Sequence, residues 1–119
     1  MFATQDTTKD TNGNEAQFSI EDDSNVVKIT GNYITAAGVA TPFTNLPGGT
    51  TLPAADPALT TYVSFQVTSA GALSMFSSTS GAVPLQGGEF LEVYRTTIAP
   101  NQAASADETA DMAITPDLQ

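Results

Sequence analysis

Residues 59–68 read Leu-Thr-Thr-Tyr-Val-Ser-Phe-Gln-Val-Thr and hold the clearest period-two pattern in the chain. Val63, Phe65 and Val67 alternate there with polar or amphipathic side chains. Successive side chains of a pleated strand point to opposite faces, so these three apolar residues would share one face. The stretch therefore predicts a strand with one face in the core.

Four further segments alternate in a similar way between turn residues, namely residues 16–20, 26–35, 72–77 and 89–98. The acidic run at 21–25 predicts a turn, and Gly31 with Asn32 predicts a bulge or tight turn. In the last segment, Leu91, Val93, Arg95 and Thr97 would lie on one side, opposite Phe90, Glu92, Tyr94, Thr96 and Ile98. The pattern indicates a mainly β fold, a small antiparallel β-sandwich or partly open barrel with an extended N-terminal arm and a long Pro/Gly loop.

Composition excludes several classes of function. The chain has no cysteine or histidine, so disulfides, thiolate metal sites and thiol chemistry are excluded. Three basic residues face thirteen acidic ones, a net charge of −10, which disfavours nucleic acid as a partner. Only 13% of residues are charged, against about 25% in typical domains. Such depletion fits either a Thr-rich β protein or a surface covered by partners.

The chain divides into three parts by composition. Residues 1–15 are polar and are predicted to form a flexible N-terminal arm, which either reaches a neighbouring molecule or stays disordered. Residues 16–100 form the predicted β domain. Residues 101–119 form an acidic C-terminal segment, with a tail, a loose helical turn after Ser105 or a last strand as alternatives. The start lacks the basic and apolar regions of a secretory signal, and no run is long enough to span a bilayer, so we expect assembly in the cytoplasm.

Proline and glycine interrupt the pattern throughout residues 36–58, which excludes a helix or a central strand there. Long connections of this kind tend to be functional. This one carries more apolar side chains than a solvated loop needs, which suggests contact with the domain or a neighbouring subunit. The predicted partner-contact residues are Phe2, Phe43, Leu46 and Leu52.

No catalytic, cofactor or metal site is predicted. Glu89 and Glu92 have odd spacing on a strand and would not converge as a glycosidase pair, so both are interpreted as solvated. The segment from Asp10 to Glu21 matches part of a calcium loop but has Glu15 where glycine is required. We therefore expect a protein that is not an enzyme.

The polar arm, the small Thr-, Ala- and Gly-rich β domain, the long Pro/Gly loop and the low charge content together resemble the capsid decoration, or cement, proteins of tailed bacteriophages. The resemblance lies in layout and composition and rests on no diagnostic motif. It implies a structural protein on the outer capsid surface of the virion, often trimeric, whose partners are the major capsid protein and copies of itself, with no nucleic acid or membrane involved. A tail, fibre or adhesin module is an alternative. A carbohydrate-binding module is another, with Tyr33, Tyr62 and Tyr94 as candidate platform residues.

Overall fold

The computed structural model describes residues 3–23, 25–44, 49–87 and 90–102, with the side chains of residues 3–6, 22 and 23 left aside. Over these ranges the chain forms strands and contains no helix, and hence none that could cross a membrane. The strands are β1 (Ala3–Lys9), β2 (Glu15–Asp23), β3 (Val26–Ile34), β4 (Ala40–Pro42), β5 (Thr50–Thr51), β6 (Thr61–Val67), β7 (Leu73–Ser78) and β8 (Leu91–Ile98).

The strands form two antiparallel sheets. The five-stranded sheet has the order β1-β2-β3-β4, and β5 pairs with the other end of β3. The three-stranded sheet has the order β7-β6-β8. β8 also contacts β1 and β2, which brings the two sheets together along one side. The predicted mainly β fold is confirmed.

The core lies between the inner faces of the two sheets. Val63, Phe65 and Val67 are each no more than 1% exposed, which confirms the inward face predicted for this strand. The Phe65 and Tyr94 rings pack with centroids 5.9 Å apart. The five-stranded sheet contributes mainly aliphatic and aromatic residues from β2 and β3: Ala16, Phe18, Ile20, Val27, Ile29 and Tyr33.

The N-terminal segment differs from the prediction. Residues 3–9 of the expected arm form β1, which pairs with β2 from Lys9↔Glu15 to Ala3↔Glu21. Main-chain hydrogen bonds and the buried Thr8 hold this strand in place, and neither leaves an apolar signal in the sequence. The β domain therefore begins within the first ten residues. At the other end, residues 103–119 and the helix or strand considered there lie outside the described part of the chain.

Two predicted interruptions of the sheet are wrong. The acidic residues 21–23 continue β2, because they pair with residues 26–28 of β3. β3 likewise runs unbroken through Gly31, which pairs with Phe18. A Cβ at Gly31 would lie 2.7 Å from the Phe18 Cα, so glycine makes room for close packing on β2.

The predicted Pro/Gly loop, residues 36–58, is not structureless. It contains β4 and β5, which both pair with β3 only and therefore agree with the exclusion of a central strand. The segment after β4 also contacts the β6–β7 turn of the other sheet, because the Thr44 amide donates to the Gly71 carbonyl at 2.8 Å. A Cβ at Gly71 would overlap the Pro42 carbonyl oxygen, so the β6–β7 turn approaches this segment closely.

Candidate functional site

A cluster of polar side chains is buried on the outer face of the three-stranded sheet. Ser64 and Gln66 alternate with the core residues of β6 and therefore point away from the core, yet both are at most 1% exposed. Glu92 of β8 lies opposite Gln66 and is 4% exposed. Arg95 of β8 lies opposite Ser64 on the same face, and its side chain is partly exposed to solvent. These four residues are called the polar cluster below.

A bulge in β8 brings Glu92 to this face. Phe65 pairs with Tyr94 while Gln66 pairs with Glu92, so Val93 is an extra residue without a partner on β6. Glu92 and Tyr94 were predicted to share one side of the strand. That prediction is wrong, because the bulge turns Tyr94 into the core and leaves Glu92 on the outer face.

Residues 82–87 cross over the polar cluster and are called the strap. The Gln66 amide group donates to the Pro84 carbonyl and to Ser64 Oγ, both at 3.0 Å. Its Oε1 accepts from the Gln86 amide at 2.9 Å. The strap forms no ladder with a strand, and the Gln66 side chain holds it on the sheet instead.

Glu92 is the electrostatic centre of the cluster. Its Oε2 accepts a 2.5 Å hydrogen bond from Ser64 Oγ, and its Oε1 lies 3.3 Å from Arg95 Nε. Burial raises the pKa of the Glu92 carboxyl above its ordinary value, while the Ser64 hydrogen bond and the charge of Arg95 act to lower the pKa. The interpretation of Glu92 as solvated is wrong. Glu89 lies outside the described residues.

The pocket beside the cluster is too small for a substrate. Its volume is about 40 Å³, against roughly 300–1,000 Å³ for ligand sites and about 30 Å³ for one water molecule. The Ser64 hydroxyl is buried and already donates to Glu92, and the chain has no histidine to activate it. The arrangement fits a role in holding the strap on the sheet. The pocket is lined by Tyr62, Val63, Ser64, Ala82, Val83, Glu92, Arg95, Thr96 and Thr97.

Asp10, the first residue of the partial calcium motif, organises the β1–β2 turn. Its Oδ1 accepts from the amides of Asn12 and Asn14 at 2.8 and 2.9 Å, and its Oδ2 accepts from Asn14 Nδ2 at 2.9 Å. Both carboxylate oxygens are thus engaged in the turn. Within the described residues, no three acidic side chains converge on a common point.

The structure separates the predicted partner-contact residues. Leu52 is 3% exposed and belongs to the core. The prediction that it contacts a partner is therefore wrong, because the residue directly after β5 points inward. Phe43 is half-buried against the core, and its amide donates to the Gly31 carbonyl at 2.8 Å. Phe2 and Leu46 lie outside the described residues. Among the described residues, the large apolar side chains that are exposed are Val39 and Leu59.

The aromatic platform considered for carbohydrate is not assembled. Tyr33 and Tyr94 are at most 2% exposed and belong to the core. Tyr62 lines the small pocket beside the strap. The three tyrosines therefore do not form one exposed surface.

The outer face of β1, β2 and β3 is a solvent-facing surface of mostly neutral polar side chains, called the polar face below. Both lysines of the chain lie on it, each opposite a glutamate, in the pairs Lys9↔Glu15 and Lys28↔Glu21. Between these pairs lie Thr7, Gln17, Ser19, Thr30 and Asn32. The sequence does not predict this surface, because the polar residues of β1 carry no apolar alternation.

Comparison with protein families, characterised proteins and solved structures found no match to this chain.

Proposed function

We propose that this chain is a non-enzymatic structural protein that decorates the outer surface of a bacteriophage capsid and stabilises the shell. Its partners are the major capsid protein and further copies of itself, and assembly takes place in the host cytoplasm. The proposal follows the resemblance in composition and layout to capsid decoration proteins. The proposal assigns no reaching role to the N-terminal arm, because residues 3–9 belong to the sheet.

The polar face is the observation that carries the proposal. In a chain of net charge −10, this surface sets two lysines against Glu15 and Glu21 and presents neutral side chains between these pairs. Balanced charge lets this surface approach a partner with less repulsion than the acidic remainder of the chain would meet. A sheet held by long strand ladders also offers a rigid surface, which lowers the entropic cost of binding. We assign this face to the contact with the shell.

The internal pairing of the polar cluster supports a structural role over an enzymatic one. Ser64, Gln66 and Glu92 spend their hydrogen-bonding groups on one another and on the strap. A weak contact repeated over a capsid lattice needs no catalytic group, because avidity multiplies the affinity of each site.

Sedimentation with expanded phage heads tests the proposal. Thr30→Glu places a charge in the middle of the polar face, where Thr30 is exposed. Thr97→Glu is the matched control, because Thr97 is an exposed strand residue on the other sheet. We expect the wild type and the Thr97 variant to pellet with heads and the Thr30 variant to lose about tenfold or more in affinity. Failure of the wild type to bind heads would refute the function, and equal binding by both variants would refute the assigned face.

A further inference from the structure

β7 lies at one edge of the three-stranded sheet. Its six residues pair with β6 on one side, and no described strand pairs with the other. The remaining edges differ. The longer edge strands β1 and β8 lie against each other, while β4 and β5 have only three and two residues. An edge strand presents unpaired amides and carbonyls that can pair with another chain.

The β7 edge also lacks the features that normally prevent such pairing. Proteins protect edges with charge, proline, bulges or very short strands. β7 reads Leu-Ser-Met-Phe-Ser-Ser, and its register with β6 is continuous. No charged residue occurs anywhere in residues 57–88. The main-chain amides and carbonyls along this edge of β7 are therefore not protected against pairing with another strand.

We propose that β7 pairs antiparallel with β7 of a second copy of this chain, joining the two three-stranded sheets into one six-stranded sheet. The inference deepens the self-association included in the proposed function and does not require a capsid. Antiparallel pairing of identical edges obeys a two-fold axis, so it gives a closed dimer.

Charge favours a second copy at this edge. Two chains of net charge −10 repel each other wherever acidic surfaces approach, within a screening length of about 8 Å at physiological salt. An uncharged edge permits contact with the least repulsion, and the acidic residues of both copies remain outside the strand pair.

The alternation of β7 restricts the register. Leu73, Met75 and Ser77 share the inner face, because they pair with Val67, Phe65 and Val63. A continuous sheet must keep both inner faces on one side, so residues of equal parity must pair. Pairing Met75 with Met75 of the partner satisfies this condition and covers two half-buried thioether side chains with each other. Ser77 then lies opposite Leu73 of the second copy.

Sedimentation velocity of purified protein, without heads, tests the dimer. Ser77 is exposed, and Ser77→Lys introduces a typical edge-protecting charge. Because lysine lowers the net negative charge, loss of the dimer could not be blamed on greater overall repulsion. Thr30→Lys makes the same change of charge on the polar face. We expect the wild type and the Thr30 variant to dimerise, with the dissociation constant of the Ser77 variant raised about tenfold or more. A monomeric wild type, or equal behaviour of the two variants, would overturn the proposal.

Oxidative cross-linking tests the register independently. The chain has no cysteine, so Met75→Cys and the control Thr30→Cys each carry a single thiol. Directly paired residues of antiparallel strands have Cα atoms about 4.5 to 5.5 Å apart, within the roughly 4.4 to 6.8 Å that a disulfide allows. We expect rapid cross-linking at position 75 and only slow cross-linking at 30. Similar rates at both positions in folded protein would contradict the Met75 register.

Discussion

At the scale of single residues, Glu92 and Gln66 show how a sheet face away from the core becomes buried. Gln66 binds the strap with both ends of its amide, and Ser64 connects it to the Glu92 carboxylate. A buried carboxylate is tolerated because it has a hydroxyl donor and Arg95 beside it. The stability of the strap is thereby linked to the protonation of one side chain.

Glu92→Gln should change how stability depends on pH. Burial raises the pKa of Glu92 above its ordinary value of 4.5. The folded state then binds the proton more tightly than the unfolded state, so this stabilisation is full below the unfolded pKa and is lost as pH rises through the folded pKa. Urea denaturation at a series of pH values should show the wild type losing stability relative to the glutamine variant above about pH 4.5. A wild-type stability that stays constant or rises with pH relative to the glutamine variant would contradict this account.

Leu52→Ala should destabilise the fold itself. The Leu52 side chain lies in the core, and truncating a buried leucine costs about 2–5 kcal/mol of the free energy of unfolding. Val39→Ala, at an exposed position, should change it by less than about 0.5 kcal/mol. Denaturant titration measures the free energy of unfolding of both variants. A similarly small loss in both would contradict the placement of Leu52 in the core.

At the scale of elements, the β1–β2 hairpin depends on its turn as much as on its ladder. Asp10 accepts three hydrogen bonds that close the turn. Asn14 in turn accepts from the Ala36 amide at 3.0 Å, which connects this turn to the one after β3. A polar strand can belong to the sheet because these contacts replace the apolar side chains it lacks.

Asp10→Ala should therefore loosen β1. It leaves the Asn12 and Asn14 amides without their acceptor, at a cost of about 1–3 kcal/mol. Asp10→Asn keeps a side-chain oxygen and should retain most of the stability. Hydrogen exchange should speed up in residues 3–9 of the alanine variant first, and exchange that stays as slow as in the wild type would argue against this role of the turn.

Gly31→Ala should disturb the pairing of β2 with β3. The new methyl group would overlap the Gln17 carbonyl oxygen and meet the Phe18 Cα and Cβ at 2.7 and 2.9 Å, and overpacking of this kind costs about 1–3 kcal/mol or more. Thermal melts should show a lower midpoint than for the wild type. A midpoint that is unchanged or raised would mean that the two strands separate here without cost.

At the scale of the whole molecule, the sequence was most informative where one face of a strand is apolar. Val63, Phe65 and Val67 predicted their strand and its buried face, and the alternation over residues 72–77 predicted β7. β1 escaped prediction because Thr8 and its neighbours carry no apolar pattern, and main-chain pairing depends on a partner strand that is distant in the chain.

The polar cluster could be predicted less well than the fold. Glu92 and Gln66 have the spacing of solvated strand residues, and only the bulge at Val93 together with the strap buries them side by side. A one-residue insertion in a ladder reverses the face of every residue beyond it. Strict alternation over residues 89–98 could not reveal that change.

Cryo-electron microscopy of expanded phage heads incubated with the purified protein tests the central claim most directly. The account predicts additional density at regular lattice positions on the outer surface, fitted by this fold with the polar face of β1, β2 and β3 turned toward the shell. Bare heads at saturating protein would contradict the function, and ordered density in which that face points to solvent would contradict the assigned contact.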